Sequence, residues 1–151
     1  MAMTITVTRF CIPLVLAAAA TACAPAPSAM PDGAAVHEGM ATVSGSVLYR
    51  ERIMPPPGAT ITIALLDVSY ADAPSTTITS QTRKLDGKGP PYAYRLEAPR
   101  AKLQSRMRYA VQAMIHDADG GLLWVNDTAN TVDPALAEQE LPPIVLVKTG
   151  R

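Results

Sequence analysis

Aromatic residues, cysteine and surplus charge are all scarce in this chain. It has one Phe, one Trp and two Cys among 151 residues. The only Phe is Phe10, near the N-terminus, so a folded core must rest on Val, Ile, Leu and Ala with five Tyr and one Trp. The 13 basic and 13 acidic side chains cancel, and no run of like charge interrupts the chain. Nucleic acid is therefore excluded as the main partner, because phosphate binding needs a basic surplus or stripe. What is plentiful is turn chemistry, with 9 Gly and 14 Pro.

The chemistry of catalysis is thin as well. There are two histidines, His37 and His116, and no G-x-S-x-G nucleophile elbow; Ser44-Gly45-Ser46 lies inside a strand pattern. "HDADGG" gathers His116, Asp117 and Asp119 and faintly echoes a calcium loop. Gly121 takes the place of the third oxygen ligand, and Thr128 stands where a bidentate Glu belongs, so a glycine-rich hairpin loop is expected there. The remaining acids scatter over turns and outer faces and nominate no pair for glycoside chemistry. These features predict a protein that is not an enzyme and that takes no metal or cofactor.

The N-terminal stretch, residues 1–22, has the form of a signal peptide. Arg9 is its only charge, and the apolar run from Phe10 to Ala20 is broken only by Pro13. That run is shorter than the roughly 20 residues a spanning helix needs, but it suits a secretory core. Ala20-Thr21-Ala22-Cys23 resembles the bacterial lipobox, in which the cysteine is acylated and the chain is cut just before it. Ala20-Thr21-Ala22 also satisfies an ordinary A-x-A cleavage site. Two features favour lipidation at Cys23. After cleavage it has no second cysteine to pair with. The tract that follows, up to Gly39, is rich in Ala, Pro, Ser and Gly, the composition of an extended tether. Residues 23–40 are thus expected to be a lipidated cysteine and its tether. Ala24 in place of Asp is similar to lipoproteins sorted to the outer membrane.

Residues 41–151 change to period two. Val43, Gly45, Val47 and Tyr49 share one face; Ile61, Ile63 and Leu65 share another against Thr60 and Thr62. Tyr92, Tyr94 and Leu96 alternate with Arg95 and Glu97. Met107, Tyr109, Val111, Ala113 and Ile115 alternate with Arg108, Gln112 and His116. "GLLWVNDT" and "PIVLVK" supply two more strands, and Trp124 is expected in the core. "MPPPGA", "DGKGPP" and "DADGG" break the strands as turns. About seven short strands at this spacing predict an all-β, antiparallel β-sandwich. Helix is limited to short turns: one or two over Pro134–Glu140 with Asp133 as N-cap, and one within "APRAKLQSRM".

Two stretches stand out as candidate interaction sites. "TTITSQTRK" is β-branched and mostly polar, the pattern of an edge strand, with Thr77, Thr79 and Gln81 placed on one side as a partner-binding edge. "DVSYADAPS" is a structured connection between strands, carrying Tyr70 and Asp72 as a possible surface loop beside that edge.

Taken together, "VSGSVLYRERIMPPPGATITIALLDVSYADAPSTTITSQT" and "GKGPPYAYRL" resemble the YbaY/YscW family of lipoproteins. The shared pattern is a G-x-V first strand, a PP-x-A turn, a long T-x-T-x-L-x-D-x-S strand and "ADAP". Pro91-Tyr92-Ala93-Tyr94 stands where the family carries phenylalanines. The resemblance covers about Val43 to Val147. It implies a small β domain on a lipid anchor facing the periplasm, without catalytic residues. It also implies a binding or chaperone role, which in some members is the piloting of a secretin subunit of a type III secretion system. A structural or stress-related envelope lipoprotein without a peptide partner is the other expectation. A peptide partner would be captured by strand addition.

Overall fold

The computed structural model describes residues 39–150; the expected signal segment, Cys23 and most of the expected tether lie outside them. Nine strands follow in order: β1 Met40–Tyr49, β2 Thr60–Asp67, β3 Thr76–Lys84, β4 Tyr92–Pro99, β5 Tyr109–His116, β6 Leu122–Val125, β7 Asn130–Val132, β8 Glu138–Glu140 and β9 Ile144–Lys148. One 3₁₀ turn, Arg100–Lys102, links β4 to β5.

All nine belong to one curled sheet, not to two stacked sheets, which corrects the expected sandwich to an unclosed half-barrel. Its path runs β3-β2-β5-β6-β9-β1-β4. Strands β1–β6 and β9 occupy the seven expected stretches, and β7 and β8 are two short strands added to them. The edge of β5 away from β2 pairs with β6 at one end and β7 at the other. The edge of β1 away from β4 pairs with β8 and then β9, both parallel. Parallel pairing on β1 is a second departure from an all-antiparallel arrangement. Local sequence could not show it, because a parallel neighbour needs a crossover from far along the chain.

Pro134–Glu140 is also different from the expected helix. Asp133 does accept the Ala135 amide at 2.8 Å, as a cap would. The chain then makes one turn and enters β8, whose ladder on β1 supplies the hydrogen bonds a helix of so few residues cannot.

The alternating residues fill the concave side. Val43, Val47, Tyr49, Ile61, Ile63, Leu65, Tyr92, Tyr94, Leu96, Tyr109, Val111, Ala113, Ile115, Ile144 and Leu146 are all buried there. Trp124 is buried with them, stacked on Tyr49 at 4.8 Å between ring centroids, its indole N–H donating to Glu51 at 3.3 Å. Gly45 takes the core position opposite Tyr94, where a Cβ would lie 2.9 Å from the Tyr94 hydroxyl. Glycine is required there because the ring fills the place of its side chain.

Candidate functional site

The sheet does not close on itself. β3 and β4 are its two ends, and no pairing joins them among the described residues. They are consecutive in the chain, so the connection over residues 85–91 holds their near ends together. A cleft of about 440 Å³ opens between them, lined by Gln81, Thr82 and Arg83 on one lip and Ala93, Tyr94 and Arg95 on the other. A second cleft of about 270 Å³ continues it past Lys84, Asp86, Lys88 and Pro91. At this end only side chains bridge the seam, with the Arg83 guanidinium 5.9 Å from the centroid of the Tyr92 ring.

The ladder phase shows which backbone groups face the seam. In an antiparallel pair, directly opposed residues alternate between exchanging hydrogen bonds and turning those groups outward. The Leu85 amide donates to the Ala59 carbonyl at 2.9 Å, which makes that pair a bonded one. Stepping along the register, Arg83, Gln81 and Thr79 also bond to β2. Lys84, Thr82 and Ser80 therefore turn their N–H and C=O groups to the free edge. The Thr62 and Thr82 hydroxyls lie 3.0 Å apart, as expected where the strands approach closest between bonded pairs. On the other lip, the Arg100 amide donates to Gly39 at 3.0 Å. The same stepping turns Glu97, Arg95 and Ala93 outward. On β1, Thr42 and Ser44 bond away from β4, to Ala137 and Leu141, as this phase requires.

The expected edge strand is therefore an edge, but its residues do not share one face. A register shift between Leu65 and Leu66 leaves Ile78 without a partner residue. Thr77 stands opposite Leu66 and Thr79 opposite Leu65, so the bulge places Thr77 on the other face from Thr79 and Gln81. Of the three, Gln81 alone lines the cleft.

Tyr70 and Asp72 are exposed in the connection after β2. That connection is held by its neighbours: Asp67 accepts the Ser69 amide at 2.9 Å and the Ser69 hydroxyl, which in turn accepts the Arg108 amide at 2.9 Å. The Asp and Ser of the D-x-S pattern thus tie β2 to the start of β5. Asp117 is similarly occupied, its Oδ1 accepting the Asp119 and Gly121 amides at 3.0 and 2.7 Å. It organises the β5–β6 hairpin, and the described residues contain no cluster of three metal-ligating side chains.

Sequence inspection for runs of like charge missed a segregation of charge. Residues 83–108 contain eight basic side chains (Arg83, Lys84, Lys88, Arg95, Arg100, Lys102, Arg106, Arg108) and two acids, Asp86 and Glu97. Residues 109–147 contain no Lys or Arg and six acids (Asp117, Asp119, Asp127, Asp133, Glu138, Glu140). The basic part comprises the end of β3, its connection to β4, β4 and the connection from β4 to β5; the acidic part lies on the hairpin and turns after β5 and on β8. A windowed charge count would have found it. Arg95 is only partly neutralised, by an exposed pair with Glu97 at 3.1 Å.

Burial dominates the tyrosines of β4. It pushes the Tyr94 hydroxyl up to about 12 and holds Tyr92 higher still, although Arg83 opposes the latter. The Tyr92 hydroxyl donates to the Lys88 carbonyl at 2.8 Å and so pins the connection. The buried Tyr94 hydroxyl has no hydrogen-bond partner among the described residues.

An unclosed sheet with two open edges defines a small all-β domain. The chain belongs to the YscW family, type III secretion system lipoprotein chaperones, whose family model matches residues 38–141. It is 34% identical over 90 residues to the uncharacterized lipoprotein YbaY of Escherichia coli strain K12. That match covers 60% of this chain and 47% of YbaY, so the chain spans about half the length of that relative. It is also similar to the structure of an alternative pilotin from the type II secretion system of Vibrio cholerae. Identity there is 36% and the TM-score 0.63, covering 74% of this chain and all of that one. The expected family is thus the family shown.

Proposed function

We propose that this protein is a non-enzymatic lipoprotein of the bacterial envelope that binds a protein partner as a pilotin-like chaperone. The observation that carries the reading is the likeness to a solved pilotin over its whole length, within a family described as lipoprotein chaperones. The partner class this favours is a secretin subunit. Cys23, following Ala20-Thr21-Ala22, is the residue proposed to carry the lipid, with the outer membrane as the destination and the β domain in the periplasm. A lipid anchor with a tether of about 16 residues would keep a folded domain at high effective concentration beside membrane-bound partners.

The test is crosslinking of the full-length protein in its native envelope, followed by identification of what is recovered with it. A secretin subunit is expected, and Cys23→Ala is expected to release the protein from the membrane fraction and to remove that subunit from the outer membrane. Recovery of no secretin from a cell that makes one would discard the pilotin role and leave a lipoprotein of another kind.

A further inference from the structure

We propose that the seam between β3 and β4 is a strand-addition site for an acidic, extended peptide segment. This rests on the reading above that the domain binds a protein partner, and it specifies the chemistry of the segment bound.

Three independent observations converge on the seam. First, both strands carry unfilled backbone: Ser80, Thr82 and Lys84 on one side, Ala93, Arg95 and Glu97 on the other, by ladder phase. A strand laid along either row gains main-chain hydrogen bonds whatever its side chains. Second, the edges border one cleft, so a peptide on one lip lies beside the side chains of the other. Third, the surroundings are basic, with Arg83 and Arg95 on opposite lips and Lys84 and Lys88 at the connected end, against Asp86 and the Glu97 already engaged by Arg95. Backbone edges supply affinity without choice of sequence; the arginines supply the choice, because a carboxylate side chain is complementary to both lips and a lysine is repelled by both.

The inner face of the β3 lip agrees with a solvated occupant. Thr79, Gln81 and Arg83 stand opposite the core residues Leu65, Ile63 and Ile61, yet they are polar. An apolar ligand would leave these groups without partners. An extended peptide brings its own amides and carboxylates to them.

The probes are blocked eight-residue peptides of alternating Thr and Glu, the same with Lys for Glu, and the Thr/Glu peptide with two central prolines. Each is titrated into the full-length protein in detergent while backbone amide exchange is followed by NMR. The Thr/Glu peptide is expected to bind at least about tenfold more tightly than the other two. It is expected to slow exchange at Thr82, and to lose about tenfold or more of its affinity in the Arg83→Glu/Arg95→Glu double variant. Both side chains are exposed, so this variant should fold; an unchanged melting temperature verifies it. Equal binding of acidic and basic peptides, insensitivity to the prolines, or protection mapped away from β3 and β4 would overturn the proposal. So would a dimer of the protein whose protected amides are those of the seam. The two readings fail separately. If the double variant still crosslinks a secretin in the envelope, the seam proposal falls and the pilotin reading stands. If the acidic peptide binds the seam but no secretin is ever recovered, the pilotin reading falls and the seam proposal stands.

Discussion

The pair Gly45 and Tyr94 illustrates how one residue's absence of a side chain serves another's ring. They are register partners, and the buried Tyr94 hydroxyl lies over Gly45 without a hydrogen-bond partner among the described residues. A buried hydroxyl without a partner costs free energy that a phenyl ring avoids. Tyr94→Phe is therefore expected to raise stability by about 1 kcal/mol, read as a higher denaturation midpoint at neutral pH. Gly45→Ala is expected to lower it by about 1–3 kcal/mol, and Tyr94→Phe should recover part of that loss when the two are combined. Burial also gives Tyr94 a pH signature. Its folded value of about 12 lies above the ordinary 10, so the folded protein keeps a proton that the unfolded chain releases first. Stability is insensitive to this group below about pH 10 and falls as pH rises from 10 through 12, where the unfolded chain ionises first. Thermal unfolding across that interval should fall more steeply for the parent than for Tyr94→Phe; parallel curves would show that Tyr94 is not the group responsible.

At the scale of the element, the phase of β3 makes its two threonines unequal. Thr79 bonds inward to β2, whereas Thr82 turns its amide to the seam. Thr79→Pro removes a ladder bond and should lower stability by about 2 kcal/mol or more. Any loss of binding it caused would be confounded with damage to the sheet. Thr82→Pro removes a free-edge donor and an exposed hydroxyl contact with Thr62 but no ladder bond, so the melting temperature should stay within about 2–4 °C of the parent. Partner binding should nevertheless be lost. Circular dichroism and the peptide titration together check both. If Thr82→Pro binds as well as the parent, β3 is not the augmented strand. That β3 forms an edge was legible in its β-branched, polar composition. The bulge at Ile78, which separates Thr77 from Thr79 and Gln81, was not, because it depends on how Leu65 and Leu66 meet a strand whose own alternation is too polar to set a face.

For the molecule as a whole, a net charge of +0 conceals a dipole-like arrangement. Four of the basic side chains between Arg83 and Arg108, namely Arg83, Lys84, Lys88 and Arg95, line the seam, and the acids lie on the elements that follow. Association with an acidic partner should therefore accelerate at low ionic strength despite the neutral total, since steering follows local potential rather than the sum. Stopped-flow measurement with the Thr/Glu peptide between 20 mM and 500 mM salt should show the association rate constant falling by about tenfold or more. A flat dependence would mean that the basic lips do not guide encounter.

The amino-acid sequence by itself determined seven of the nine strands and the membership of the core. Alternation over Val43–Tyr49, Ile61–Leu65, Tyr92–Leu96 and Tyr109–Ile115 is a local signal, because successive side chains must point to opposite faces of any strand. It also determined the family, through the turn and D-x-S patterns that now prove to tie β2 to β5. What only the tertiary structure decided is the way the sheet runs. β8 and β9 reach β1 in parallel from the far end of the chain, β7 and β8 are too short to announce themselves, and the ends β3 and β4 meet without pairing. Pairing is a choice among distant partners, made by the summed burial of all the faces at once. No local periodicity contains that choice, and so the unclosed seam, the proposed site, was visible only once the chain had folded.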